Sequence, residues 1–305
     1  MAQTVTHQTA KTQFTEGGDV RYAYRRFGNT SKTQVPVLFL IHFRGTMDYW
    51  DPLLVNSIAA ERPVILFDNA GVGQSSGTVP ASFREMAKHV IKFLELIQVK
   101  QVDILGFSMG GFEAPLVHLD GPAGLVRKLI IAGSGPSAGE GIQNHSAEQN
   151  DEVNRLAGQA TPAYEDGLDK LFFAPTPTSQ AAGKAYWERI HERNASTSGE
   201  ERSKFVSWGY EDGGVALQAM VAAFGPWLDI AQGADGDYNR LGDITVPTFI
   251  GQGHDDFMIP TVNSFVMQQK IPNARLKIFP DSGHGFLYQY AVEFARDVNE
   301  FLDLA

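Results

Sequence analysis

Apolar positions in this chain form short continuous runs, separated by stretches in which they recur at helical spacing. Val35 to Ile41, Pro63 to Phe67, Val126 to Ala132, Val246 to Gly251 and Ala274 to Phe279 are such runs, as expected of strands covered on both faces. Pro36 lies near the start of its run, where a strand tolerates it. Val102 to Leu105 is a shorter run of the same kind, and Val20 to Phe27 reads as a half-buried strand. Phe83, Met86, Ala87, Val90, Ile91, Leu94 and Ile97 lie on one face of a helix predicted over 83–97. Val292, Phe294, Ala295, Val298, Phe301 and Leu302 do the same for a closing helix over 290–304. Strands alternating with helices predict an α/β fold, with a mostly parallel central sheet and helices on both faces.

The rhythm breaks between about Ser134 and Arg240. Gly135-Pro136-Ser137 and Pro175-Thr176-Pro177 are joints, and helices are expected at Gly183 to Arg193 and Val215 to Phe224. We read residues 1–133 and 241–305 as one core domain and 134–240 as a helical cap inserted into it. The alternatives are a separate helical domain or a mobile excursion.

Composition narrows the classes. At 305 residues, 43% apolar and 20% charged, the chain can bury a sizeable core. A net charge of −10 argues against nucleic acid and anionic membranes as partners. Without cysteine there is no disulfide, thiolate chemistry or thiolate-held metal. The polar start, Met1 to Thr9, lacks the blocks of a secretory signal, and no apolar run approaches the roughly 20 residues of a membrane span. A cytoplasmic monomer or homodimer acting on a small molecule, without metal or cofactor, is the expectation.

The candidate chemistry begins at Gly106-Phe107-Ser108-Met109-Gly110, between the Val102 run and a helix-like stretch from Gly111 to Val117. Glycines on either side let the chain turn so sharply that the hydroxyl stands clear of the strand end. A serine hydroxyl needs a base to take its proton and a third group to orient that base. Gly253-His254-Asp255-Asp256, with Pro260 beyond, and Asp281-Ser282-Gly283-His284 supply candidates just past two predicted strands. Both carboxylates, Asp255 and Asp256, are open at this point. A metal cluster at His254-Asp255-Asp256 is disfavoured, because adjacent side chains on a loop diverge.

The order Ser, Asp, His at strand ends resembles the α/β-hydrolase superfamily, and so does the turn Asp68-Asn69-Ala70-Gly71-Val72-Gly73-Gln74-Ser75. The resemblance covers nearly everything outside the insertion. It implies Ser108 as nucleophile, His284 as general base and then acid, and, through the family's Gly-x-x-Asp spacing with a later proline, Asp256 as orienting carboxylate. It also implies two backbone donors for the developing oxyanion: the amide of Met109, and one in the loop after the Val35 strand. Where the family shows His-Gly-x, this chain has His42-Phe43-Arg44-Gly45; Phe43 is the favoured donor and Arg44 the alternative. The Arg44 side chain is expected to anchor Asp48 rather than to grip an acidic substrate. Trp187, Trp208, Phe224 and Trp227, with Tyr186 and Met220, are candidate pocket residues from the insertion.

The elbow is similar to that of cofactor-free haloperoxidases and arylesterases. A serine there argues against haloalkane dehalogenases and epoxide hydrolases, which use aspartate. The resemblance implies a serine hydrolase that cleaves a small apolar carboxylic ester or lactone through an acyl-enzyme. The alternatives are a C–C bond hydrolase with the same triad, and a ligand-binding or receptor member of slow turnover.

Overall fold

The structure is a computed structural model that describes residues 4–229, 231 and 236–304. Eight strands make one sheet: β1 (Gln13–Gly17), β2 (Val20–Gly28), β3 (Val37–Leu40), β4 (Pro63–Asp68), β5 (Val102–Phe107), β6 (Val126–Ala132), β7 (Thr248–Gly253) and β8 (Ala274–Phe279). Their spatial order is β1-β2-β4-β3-β5-β6-β7-β8. β1 and β2 are antiparallel to their neighbours, and every pairing from β4 to β8 is parallel. β3, β4, β5 and β7 are buried along their whole length, which is why they read as unbroken apolar runs.

Successive residues of each strand face opposite sides of the sheet. Phe39, Leu66, Leu105 and Ile130 pack on one side against α1 (Pro52–Ala59) and α11 (Ala291–Asp303). Leu38, Ile65, Ile104, Leu129 and Ile131 pack on the other against α2 (Phe83–Leu96), α3 (Met109–Asp120) and Met267 of α9 (Thr261–Lys270). Caps set the starts: the Asp51 carboxylate accepts from the Leu53 amide ahead of Pro52, and the Ser82 hydroxyl accepts from that of Glu85. α11 buries Phe294, Ala295, Val298, Phe301 and Leu302; Val292, expected on that face, is 60% exposed. The short α10 (Phe286–Gln289) precedes it.

The periodicity did not announce β1. It is an edge strand, mostly exposed, whose Phe14 lies under the Arg21 guanidinium instead of in the core. β7 begins at Thr248, two residues later than the apolar run, because Pro247 has no N–H to give the ladder, although its carbonyl accepts the Leu129 amide.

Between β6 and β7 the described residues form helices and no strand: α4 (Ala147–Ala157), α5 (Asp169–Phe172), α6 (Pro177–Ile190), α7 (Ala195–Ser198) and α8 (Val215–Leu228). This segment is fastened unequally. Around α6, buried Asp48 pairs with Arg25 and with Arg193 (3.1 Å) and accepts the Ser203 amide at 2.7 Å. Arg189 forks onto Asp51 at 2.6 and 2.8 Å, and the Tyr186 hydroxyl donates to the Tyr49 carbonyl. Around α4 the ties to the core are neutral or involve one cation: His145 to the Met258 carbonyl, Gln149 to the Phe257 carbonyl, and Arg44 to the Ala157 and Gln159 carbonyls.

Candidate active site

Ser108 sits between β5 and α3 with φ 55° and ψ −119°, a region that side chains other than glycine rarely occupy. The turn closes only because its flanks are bare: a Cβ on Gly110 would come within 2.0 Å of the Leu40 carbonyl oxygen, and one on Gly106 within 2.2 Å of that of Gly110. The Ser134 hydroxyl donates to the Ser108 carbonyl at 2.9 Å and braces the turn from the loop after β6.

Asp256 leaves the end of β7 with its carboxylate turned inward. One oxygen accepts the amides of Met258 and Ile259 at 2.7 and 2.9 Å. The other accepts Gln252 Nε2 at 2.7 Å and His284 Nδ1 at 2.8 Å. Asp255 instead faces solvent against His254. The ends of β7 and β8 meet closely, since a Cβ on Gly253 would lie 2.1 Å from the Gly283 carbonyl. His284 is fully buried, packed by the rings of Phe107 and Phe172. A carboxylate can only accept, so Nδ1 carries the hydrogen and Nε2 of the neutral ring is left as an acceptor. That Nε2 is buried and has no partner among the described residues.

Ser108 and His284 line the same cavity of about 40 Å³, together with His42, Phe43, Arg44 and apolar residues that include Leu156, Leu168, Phe172 and Met258. At about 10–15 Å³ per water this is room for a few waters. Met109 is the first residue of α3, where helix amides lack an internal partner, and neither its amide nor that of Phe43 is bonded among the described residues. His42 Nδ1 donates to the Phe43 carbonyl at 2.9 Å, and Gly45 N donates to the His42 carbonyl at 2.9 Å, so this loop is a closed turn with Arg44 at φ 61°. Burial lowers the His42 pKa to about 3, against the raising effect of its bond to Phe43, and the nearby His284 lowers it further.

Arg44 does not anchor Asp48, whose oxygens are taken by Arg25, Arg193 and Ser203. Its guanidinium donates instead to the carbonyls of Val206, Ala157 and Gln159. Of the proposed aromatic pocket residues, none lines this cavity. Trp227 and Phe224 pack against Phe83 and Phe112 in the core, Trp187 against Tyr164 and His191, and Trp208 borders an open groove with Lys204. Tyr186 stacks on Tyr288, and Met220 lines a second, smaller cavity. A helical stretch shows which residues are apolar, not whether that face meets the core or the cavity. Gln252, which holds Asp256, was missed; its only signal is a buried amide at the end of an apolar strand.

Two carboxyls lie behind the elbow. Asp68 accepts the Met47 and Gln74 amides at 2.7 and 3.1 Å and ties the loop after β3 to the turn after β4. Glu113 of α3 lines the second cavity with Met109 and, among the described residues, accepts only from Asn69, at 3.1 Å. Burial raises Asp68 to about 7 and Glu113 to about 8.

The family model for the alpha/beta hydrolase fold matches residues 35–290. A solved alpha/beta hydrolase fold protein from Chitinophaga pinensis is 32% identical, covers 99% of this chain and 100% of its own, and superposes with a TM-score of 0.84. A protein of Azorhizobium caulinodans bearing the name "Putative carbamate hydrolase RutD" is 26% identical over 90% of this chain and 91% of its own. The 2-hydroxy-6-oxononadienedioate/2-hydroxy-6-oxononatrienedioate hydrolase of Cupriavidus pinatubonensis is 28% identical over 80% of this chain and 78% of its own. With the matched region spanning every strand from β3 to β8 and the elbow between them, this chain belongs to the α/β-hydrolase fold family.

Proposed function

We propose that the protein is a serine hydrolase that cleaves a small carboxylic ester or lactone through an acyl-enzyme. The observation that supports it most is one cavity lined by both Ser108 and His284, whose Nδ1 is held by Asp256 and whose Nε2 has no partner among the described residues. In this reading His284 Nε2 takes the Ser108 proton as the oxygen attacks the carbonyl carbon, then gives it to the leaving alcohol. Asp256 fixes the ring and offsets its charge while it is protonated. The amides of Met109 and Phe43 receive the oxyanion. Water, deprotonated by the same nitrogen, attacks the acyl carbon and releases the acid and the serine. Residues 134–240 act as a cap over the cavity, and the small cavity volume suits a closed cap.

A second reading, C–C bond hydrolysis of a diketone-type substrate by the same three residues, is favoured by the likeness to the Cupriavidus protein. Ser108→Ala should lower p-nitrophenyl acetate turnover by several orders of magnitude, and a fluorophosphonate probe should label Ser108 in the parent. An unchanged rate in the variant ends the serine assignment. Failure to label supports instead a receptor-like member. A vinylogous diketone cleaved in preference to every ester and lactone of a graded panel moves the assignment to the second reading.

A further inference from the structure

Arg44 lies at the edge of the cavity with 2% of its surface exposed. It makes no ion pair among the described residues. Its three hydrogen bonds all go to neutral backbone carbonyls, at 2.7 to 3.0 Å from Nε and Nη1, and the second terminal nitrogen, Nη2, is buried with no partner. Among the described residues no Asp or Glu lines the cavity, and Arg44 is its one Lys or Arg. His42, the remaining polar neighbour, offers a bare Nε2 lone pair and cannot receive a negative charge in its neutral form. A guanidinium removed from water without a counter-charge is costly, and the other buried arginines of this protein avoid that cost: Arg25 and Arg193 share Asp48, and Arg62 reaches Asp303. The loop also holds Arg44 at positive φ, with the side chain locked by carbonyls from two parts of the insertion. A cation so held, lining the same cavity as Ser108 and His284 and left uncompensated, suits a ligand that brings its own negative charge.

We infer that the substrate is anionic, an ester or lactone carrying a carboxylate that pairs with the Arg44 guanidinium while its acyl carbon meets Ser108. This rests on the hydrolase reading above and names its substrate class. It also reverses the expectation of a wholly apolar substrate: the apolar wall would receive the chain that links the two carbonyl carbons.

The test compares mono-4-nitrophenyl glutarate with 4-nitrophenyl pentanoate, which differ in a terminal carboxylate against a methyl. The parent should favour the glutarate ester in kcat/KM by roughly 10- to 100-fold, the value of a hydrogen-bonded charge. Arg44→Met should bring that ratio to about one, and Arg44→Lys, which keeps the charge without the fork, should retain part of it. Equal rates in the parent, or a ratio that survives Arg44→Met, overturn the proposal. Should Arg44→Met fail to fold, inhibition of pentanoate hydrolysis by glutarate decides the matter: inhibition by glutarate but not by glutaramide supports the anion site, and equal effects refute it. Calorimetry of glutarate with Ser108→Ala protein keeps the two readings apart. Heat of binding there without any esterase activity in the parent would sink the hydrolase reading and leave the anion site standing; turnover without binding or preference would do the reverse.

Discussion

At the end of β7 the backbone turns the Asp256 carboxylate inward onto His284, whereas Asp255, one residue earlier, is half exposed against His254. Four donors converge on Asp256, so its replacement by a neutral amide both loosens the ring and misdirects its hydrogen. Asp256→Asn should lower the turnover of a reactive ester by about 10²- to 10⁴-fold, and Asp255→Asn should leave it within about twofold. The opposite ranking would transfer the orienting role to Asp255. The order of Ser108, Asp256 and His284 along the chain could be read because each stands in a short glycine-bearing motif just past an apolar run. Gln252 and the carbonyl partners of Arg44 could not. Gln252 has no motif of its own, and Arg44 bonds to backbone 113 to 162 residues away, which no local pattern encodes.

Among the elements, the buried strands were legible because burial on both faces leaves no polar position to break the run. β1 was not, because a solvent-facing edge strand carries no such constraint. α4 was missed for a related reason: Ala147–Ala157 buries only Leu156, so most of its surface is polar and shows no stripe. That same polarity bears on mobility. α6 and the chain after it are held by buried ion pairs to Asp48 and Asp51, and breaking such a pair costs about 3–5 kcal/mol. The start of α4 is held to the core by neutral hydrogen bonds, from His145 and Gln149 to backbone carbonyls, whose partners can turn to water at small net cost. Amide exchange followed by mass spectrometry should therefore show peptides from 147–157 exchanging well before those from 179–190. Equal protection of the two would mean that the insertion moves as one body or not at all.

Across the whole molecule, the sequence pointed to a parallel α/β sheet, and β3 to β8 form one. It did not give the antiparallel β1–β2 edge or the position of β3 between β4 and β5, since strand order depends on crossovers and not on composition. It named Asp68 only as the head of a turn, and carried no sign that Asp68 and Glu113 are buried. Burial raises Glu113 from its ordinary 4.5 to about 8 and Asp68 from 3.8 to about 7. Both groups thus hold a proton in the native protein at pH values where the unfolded chain has released it. Proton linkage then fixes the sign: their contribution to stability is complete below about pH 4, declines as the medium becomes more alkaline, and levels off beyond about pH 8. Glu113→Gln removes one of the two titrations, on the order of 5 kcal/mol by pH 9. Urea midpoints measured from pH 5 to 9 should fall more steeply for the parent than for this variant; parallel curves would mean that Glu113 is ionised in the native fold. Above about pH 6.5, where buried His7 and His42 are neutral whether the chain is folded or not, these two carboxyls make alkaline buffer the harsher direction, whatever the pH at which the chemistry runs fastest.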